Sequence, residues 1–240
     1  MSTENGDGAV WPPPPSAEGV ALGGRAMRPE FRRLRGFEVA ILVLLIVNLT
    51  LDVLRIAAIA LPIDPVLRAT ASGLSLLSVI AEFLVLLTWF YHAYANLESF
   101  RVRGRFTTAG WAVAYWIIPF ISLYRPYTLF QEMWRASDPA AGPEPESWRK
   151  VRGNAMIGGM WAFYLWSGFM WLTVAADHEP AGVNPMRLAG QESSLAAITF
   201  IARLLQYLCI RALDRRQEAK EAVILAAEEN SGIGVSPLEP

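Results

Sequence analysis

Four apolar blocks dominate this chain, and each is long enough to cross a lipid bilayer as a helix. A helix rises 1.5 Å per residue, so about 20 apolar residues span the ~30 Å of hydrocarbon in a membrane. Hydrophobic residues make up 53% of the chain and charged residues only 18%. The sequence therefore predicts an all-α integral membrane protein with four transmembrane helices, Phe37–Leu61, Gly73–Leu97, Asn154–Ala176 and Ser193–Leu213.

Helix breakers separate the first two blocks. Pro62 and Pro65 follow the first block, and Ala71–Gly73 predicts a turn before the second. No signal-peptide pattern precedes the first block, so we expect it to stay as a membrane anchor.

Polar segments flank the membrane domain, which we assign to residues 37–213. Residues 1–36 are rich in Pro and Gly and then become basic, which predicts a disordered cytoplasmic tail. After the last block we predict a cytoplasmic helix over 214–229 and a flexible tail over 230–240.

Residues 111–137 form a fifth apolar tract, but Pro119 and Pro126 break it. Trp111–Ile118 would give only about 12 Å of helix before the first proline, too short to span. A proline suits the first turn of a helix, so a second short helix is predicted over Pro126–Ser137. Two interpretations follow, a broken helical hairpin that returns to its own side and a kinked but complete span.

Positive charge distinguishes these interpretations, because cytoplasmic loops of membrane proteins carry an excess of Lys and Arg. If 111–137 returns to the side that it entered from, 17 Lys and Arg residues share the side of both termini, and only Arg68 and Arg187 lie opposite. A fifth span would leave nine on each side. The count favours a re-entrant or interfacial hairpin on the cytoplasmic side, with both termini cytoplasmic.

Four ionisable residues lie inside the predicted spans, where charge is costly and usually faces protein. Asp52, Glu82 and Arg203 lie at similar depths, ~13 to 15 Å from the outer ends of their spans. Asp52 and Arg55 share a helix face at i, i+3. The four could form an ion-pair network that fixes helix register, or a proton or ion pathway in which Glu82 is the leading candidate.

A second set of residues is predicted at the cytoplasmic interface, at the end of the second span and on the broken tract. Trp and Tyr favour headgroup depth, so an aromatic belt is one interpretation. The other is an amphipathic pocket in which His92 or Arg135 contacts an anionic head group or a small solute. The set comprises Trp89, His92, Asn96, Trp111, Trp116, Tyr127, Glu132, Trp134 and Arg135.

Motifs for catalysis or metal binding are missing from the sequence. It has two histidines and one cysteine, Cys209, and no HExxH, CxxC, GxSxG or P-loop text. Asp177–Glu179 could touch a cation, but three adjacent residues do not converge on one face. The net charge of −1 gives no electrostatic footprint for nucleic acid. We expect no enzyme activity, cofactor, metal site, internal disulfide or nucleic-acid partner.

Three stretches carry a family resemblance. Trp89–Leu97 reads WFYHAYANL, Trp111–Pro119 reads WAVAYWIIP and Pro126–Ser137 reads PYTLFQEMWRAS. They resemble the W-x-x-[RH]-A-Y-x-N-L, W-A-V-x-x-W-x-I-P and P-Y-x-x-x-x-E-x-W-x-A-S motifs of a family of uncharacterised bacterial multi-pass membrane proteins, a domain of unknown function. The resemblance implies a bacterial cell-membrane protein in which the second span and the broken tract act as one unit, and it implies no known activity.

Two functions from different classes fit these patterns. The first is a non-enzymatic membrane protein that binds a lipid, a small solute or a protein partner at the cytoplasmic interface, between the second span and 111–137. The alternative is a small transporter or channel that uses Glu82 with Asp52, Arg55 and Arg203. The sequence does not indicate an oligomeric state.

Overall fold

A computed structural model describes residues 29–60, 64–102, 104–141, 146–176 and 185–230. Within these ranges the chain is all-helical and has no strand, as predicted. Most of the predicted disordered tail, the end of the flexible tail and Asp177–Glu179 lie outside the described residues. The α-helices are α1 (Arg35–Ala60), α2 (Pro65–Ser99), α3 (Ala109–Ala114), α4 (Arg125–Ala136), α5 (Ala155–Ala176) and α6 (Pro185–Asn230).

Three of these helices, α1, α2 and α6, are long and apolar enough to cross a membrane. They correspond to the first, second and last predicted spans and indicate a membrane location. The 22 residues of α5 include no charged side chain. This helix is not among the three, since three Trp, one Tyr and three Gly residues dilute its aliphatic content.

Helix α2 begins earlier than predicted, and the turn expected at Ala71–Gly73 is wrong. Asp64 caps the helix, because its Oδ1 accepts a hydrogen bond from the Val66 amide at 2.6 Å. Pro65 follows in the first turn, where its fixed φ suits a helix. Gly73 costs about 1 kcal/mol inside a helix, too little to interrupt one that is capped and packed.

The first turn of α1, the last turns of α2 and the second half of α6 meet at one end of the bundle, here called the Arg35 end. Glu38 Oε1 of α1 lies 3.2 Å from Arg211 Nε of α6. Trp89 Nε1 of α2 donates to Asp214 Oδ1 of α6 at 3.0 Å. Helices α2 and α6 therefore run parallel to each other and antiparallel to α1, and α5 packs on α6.

The proline-broken tract contains two short helices, α3 and α4, joined by turns. The helix predicted over Trp111–Ile118 is shorter than expected, because the Trp116 and Ile117 amides bond three residues back, at 3.0 Å each. Pro119 has no amide hydrogen and its ring disfavours helical geometry in the preceding residue, so the helix tightens and ends. Phe120 then adopts a φ of 63° before α4 begins.

An aromatic cluster joins the broken tract to α2. The Phe90 ring lies 5.1 Å from Phe130 of α4 and 5.5 Å from Trp116, centroid to centroid. Trp89 stacks on Phe130 at 5.8 Å. Contacts of this kind contribute about 0.5–1.5 kcal/mol each beyond buried area, so they fix α4 against α2.

Candidate functional site

A polar network crosses the interior of the bundle between α1, α2 and α6. Glu82 Oε2 accepts a hydrogen bond from Asn48 Nδ2 at 2.8 Å and lies 3.1 Å from Arg203 Nε. Arg203 Nη1 lies 3.5 Å from Asp52 Oδ2. One guanidinium thus bridges carboxylates from two other helices.

The same network continues along α1 to the start of α6. Arg55 Nη2 lies 3.9 Å from Asp52 Oδ1, one helical turn away, and 2.6 Å from Glu192 Oε2. The structure thus brings together the four ionisable residues predicted inside the spans.

Two members of the network, Asn48 and Glu192, are missing from the sequence prediction. Asn48 carries no charge, so the pattern of ionisable residues does not indicate it, although it precedes Asp52 by one helical turn and shares its face. Glu192 lies just before the predicted start of the last span, but α6 begins at Pro185 and holds it in helix. A search for all polar residues on the Asp52 face would have found Asn48.

Among the described side chains, the charges of the network do not balance. Three carboxylates, Asp52, Glu82 and Glu192, face two guanidinium groups there, so one negative charge is in excess when all are ionised. An unbalanced charge is unfavourable where side chains are withdrawn from water, as Asp52 and Glu82 are with 13% and 9% of their side-chain surface exposed. A proton or a cation would offset the excess.

A cavity of about 180 Å³ adjoins this network between α2, α5 and α6. Its polar lining comprises Glu82, Arg203, Gln206, Tyr164 and Ser167, with Phe83 among the apolar residues. A water molecule takes about 30 Å³ of liquid, so the cavity could hold roughly six waters.

The nine residues predicted at the interface do not share one pocket. Trp89 and Trp116 belong to the aromatic cluster and are 0% and 8% exposed. Trp111, in contrast, is 58% exposed and contacts Tyr115. Tyr127 is half-buried against the core.

His92 and Asn96 face other parts of the Arg35 end. The His92 ring lies 5.7 Å from Phe37 of α1. Asn96 exchanges two hydrogen bonds with the Arg32 backbone, at 3.0 and 2.9 Å, and its Nδ2 also donates to Gln217 Oε1. Asn96 therefore anchors the segment that leads into α1.

Glu132 is the most buried ionisable residue of the set, at 1% exposure. Its carboxylate accepts hydrogen bonds from the Tyr94 hydroxyl at 3.1 Å and from the Phe106 amide at 2.9 Å. Burial raises the pKa of Glu132 above its ordinary value, against the opposing effect of these hydrogen bonds and of Arg105 and Arg125.

Trp134 and Arg135 follow at the end of α4. Arg216 of α6 donates from Nε to the Trp134 carbonyl at 3.0 Å, and its guanidinium stacks on the indole at 4.3 Å. Arg135 is half-buried, and its Nε has no hydrogen-bond partner within the described ranges.

Three of the cavities formed by described residues lie at the start of α1, between α1 and α6, and beside Glu82, and no residue of the interfacial set lines any of these three. In the described part of the chain, no cluster of three or more His, Cys, Asp or Glu side chains could hold a metal ion.

Comparison with known proteins assigns the chain to a family but gives no activity. No curated protein and no solved structure matches it. One family profile, Domain of unknown function (DUF4328), matches residues 53–216 and includes the three stretches that carry the predicted resemblance. This match confirms the predicted kind of family, and the chain belongs to the DUF4328 family.

Proposed function

We propose that the protein crosses a bacterial cell membrane four times, through α1, α2, α5 and α6, with residues 111–137 as a hairpin on the cytoplasmic side. Helix α5 supports a fourth span, since its 22 uncharged residues give about 33 Å of helix. Both termini are then cytoplasmic, and the Arg35 end of the bundle faces the cytoplasm.

Contacts on both sides of the broken tract support the hairpin. Arg149 Nη2 donates to the Gly104 carbonyl at 2.8 Å, which joins the loop before α3 to the loop after α4. Lys220 of α6 donates to the Ala136 carbonyl at the end of α4. A tract that starts and finishes at the Arg35 end fits a return to the same side.

Exposed apolar side chains at the turn of the hairpin support its insertion into lipid. Ile117 is 67% exposed, Phe120 82% and Leu123 54%. Such a patch is unfavourable in water and favourable in hydrocarbon. Trp161 Nε1, in the second turn of α5, donates to the Leu123 carbonyl at 2.9 Å. This backbone oxygen thus has a hydrogen-bond donor that lipid tails could not supply.

Within this bundle we propose that the protein moves or senses a proton or a small monovalent cation at the cavity beside Glu82 and Arg203. The excess carboxylate of the network is the observation that carries the proposal, because it demands a positive partner. Cavity size agrees, since about 180 Å³ lies below the roughly 300–1,000 Å³ of pockets for larger organic ligands.

We favour this cavity over the interfacial set as the ligand site, because the interfacial residues do not share one pocket and line none of the three cavities described above. The two regions nevertheless touch. Trp116 of the hairpin packs on Phe83 and Tyr164, which line the cavity, at 6.3 and 6.2 Å. A ligand in the cavity would therefore affect the hairpin through these aromatic contacts.

The test is flux into liposomes that contain the full chain, under imposed proton, sodium or potassium gradients. Glu82→Gln keeps an oxygen to accept from Asn48 and removes the charge, so we expect a folded protein whose flux falls at least tenfold. Glu98→Gln is the matched control, because Glu98 is exposed and, among the described residues, pairs with Arg105.

Two outcomes would overturn the proposal. One is a folded wild-type protein without flux under any gradient. The other is unchanged flux in Glu82→Gln. Loss of thermal stability alone, without a change in flux, would make the network a device that fixes helix register.

A further inference from the structure

A second charged cavity, of about 320 Å³, lies between the first turn of α1 and α6. It is at the Arg35 end, some distance along α6 from the Glu82 cavity, because eleven residues separate Arg203 from Asp214 and give about 16 Å of helix. Three arginines and three carboxylates line it, Arg35, Arg211, Arg215, Glu38, Asp214 and Glu218.

Two of these charge pairs are already made within the protein. Glu38 pairs with Arg211 at 3.2 Å, and Arg35 approaches Glu218 at 4.0 Å. Asp214 and Arg215 are the remaining lining charges. Arg215 is exposed, whereas Asp214 is only 5% exposed.

Asp214 is the unusual member of this cavity. Its Oδ1 accepts the Trp89 indole N–H at 3.0 Å, but its Oδ2 has no hydrogen-bond partner in the described chain. A buried acceptor that lacks a donor costs about 1–3 kcal/mol, and more when it is charged. Asp214 Oδ2 therefore lacks a donor, although three arginines line the cavity, and a positively charged donor would suit this oxygen best.

The depth of the cavity in the membrane indicates which kind of molecule supplies that donor. The cavity adjoins the first turn of α1, where the first candidate membrane span begins, so it lies at the level of lipid head groups when α1 crosses the bilayer. The lining at this level includes Asp214, whose Oδ2 has no donor in the described chain, and the exposed Arg215.

We propose that this cavity binds the head group of a phospholipid that carries a primary ammonium beside its phosphate. Asp214 receives an N–H from the ammonium, and Arg211 and Arg215 contact the phosphate. A trimethylated ammonium has the same charge but no N–H to donate, so the site discriminates between head groups of equal charge. This inference rests on the membrane location of the chain and not on the role of Glu82.

The experiment compares three lipids with identical acyl chains, added to the full chain in detergent. Phosphatidylethanolamine is expected to bind about tenfold more tightly than phosphatidylcholine, because only its ammonium can donate a hydrogen bond to the charged Asp214. Native mass spectrometry and thermal-shift titrations measure the two affinities. Phosphatidylglycerol has a phosphate but no ammonium, so its binding measures the contribution of the arginines alone. Soluble phosphoethanolamine has the same head group without acyl chains, so its binding shows whether a free ligand is enough.

Asp214→Asn is the decisive variant, since it retains an acceptor for Trp89 and removes the charge. We expect it to lose the preference for phosphatidylethanolamine over phosphatidylcholine and to keep its affinity for phosphatidylglycerol. Glu146→Gln, an exposed carboxylate in another loop, should keep the preference.

Equal binding of the two zwitterionic lipids by the wild-type protein would overturn the proposal, as would a preference that survives in Asp214→Asn. If soluble phosphoethanolamine bound as tightly as the lipid, the lipid source would be excluded and the ligand would be a free zwitterion. Flux through the Glu82 cavity is read separately, so the two proposals can fail independently.

Discussion

Glu132 shows how one buried carboxyl can make the stability of this protein depend on pH. Burial raises its pKa, so the folded state holds a proton that the unfolded chain releases between the ordinary value of 4.5 and the higher folded value. The folded state binds more protons in that window, and stability therefore falls as pH rises through it. We predict that Glu132→Gln removes this loss, because the amide can accept from the Phe106 amide and donate to the Tyr94 oxygen.

Thermal unfolding in detergent, followed from pH 4.5 upward, checks this prediction for Glu132. The wild type should lose melting temperature with rising pH relative to Glu132→Gln. Glu132→Ala should instead be destabilised by about 2–4 kcal/mol at every pH, since it leaves the buried Tyr94 hydroxyl and the Phe106 amide without their acceptor and opens a cavity. Parallel pH profiles for the wild type and Glu132→Gln would contradict the raised pKa.

At the scale of elements, the end of α4 depends on cations that α6 supplies. The last carbonyls of a helix lack partners within it. Lys220 Nζ donates to the Ala136 carbonyl at 2.6 Å, and Arg216 pairs with Asp138 at 2.6 Å. We predict that Lys220→Met, which keeps the apolar stem, loosens α4 and lowers stability by about 1–3 kcal/mol.

Hydrogen exchange measured by mass spectrometry detects the loosening of α4 in Lys220→Met. We expect faster exchange in peptides that cover residues 131–138. Lys150→Met is a matched control, because Lys150 is exposed and is the other lysine of the chain. If both variants exchanged alike in this region, α4 would be held by its aromatic contacts alone.

The sequence largely predicts where the helices lie along the chain, but it does not predict which side of each helix contacts the rest of the protein. Hydropathy identified α1, α2 and α6, prolines located the break before α4, and equal depth grouped Asp52 with Glu82 and Arg203. Trp89 and Trp111 shared one interfacial assignment, yet the first is fully buried and the second is mostly exposed. Which side of a helix meets protein depends on its rotation against its neighbours, and apolar residues on all sides leave no periodic signal for it.

For the whole molecule, the asymmetry of positive charge makes its orientation testable. A single cysteine can be introduced after replacement of the buried Cys209. Ala140→Cys lies in the exposed loop after α4, and Ala69→Cys lies in the first turns of α2, also exposed. If 111–137 is a hairpin and both termini are cytoplasmic, a membrane-impermeant thiol reagent added to intact cells labels Ala69→Cys and spares Ala140→Cys.

Permeabilised cells supply the control, since both cysteines should then react. Labelling of both cysteines from outside would make 111–137 a complete fifth span, whereas labelling of Ala140→Cys alone would invert the proposed orientation. Helix α5 would then cross in the opposite direction from the one proposed. Two hydrogen bonds argue against a complete fifth span, those of Gly104 with Arg149 and of Ala136 with Lys220. A complete span would put the loop before α3 and the loop after α4 on opposite faces of the bilayer. These hydrogen bonds and the charge bias of 17 to two thus favour the same returning hairpin from independent physics, and the charge bias places it on the cytoplasmic side.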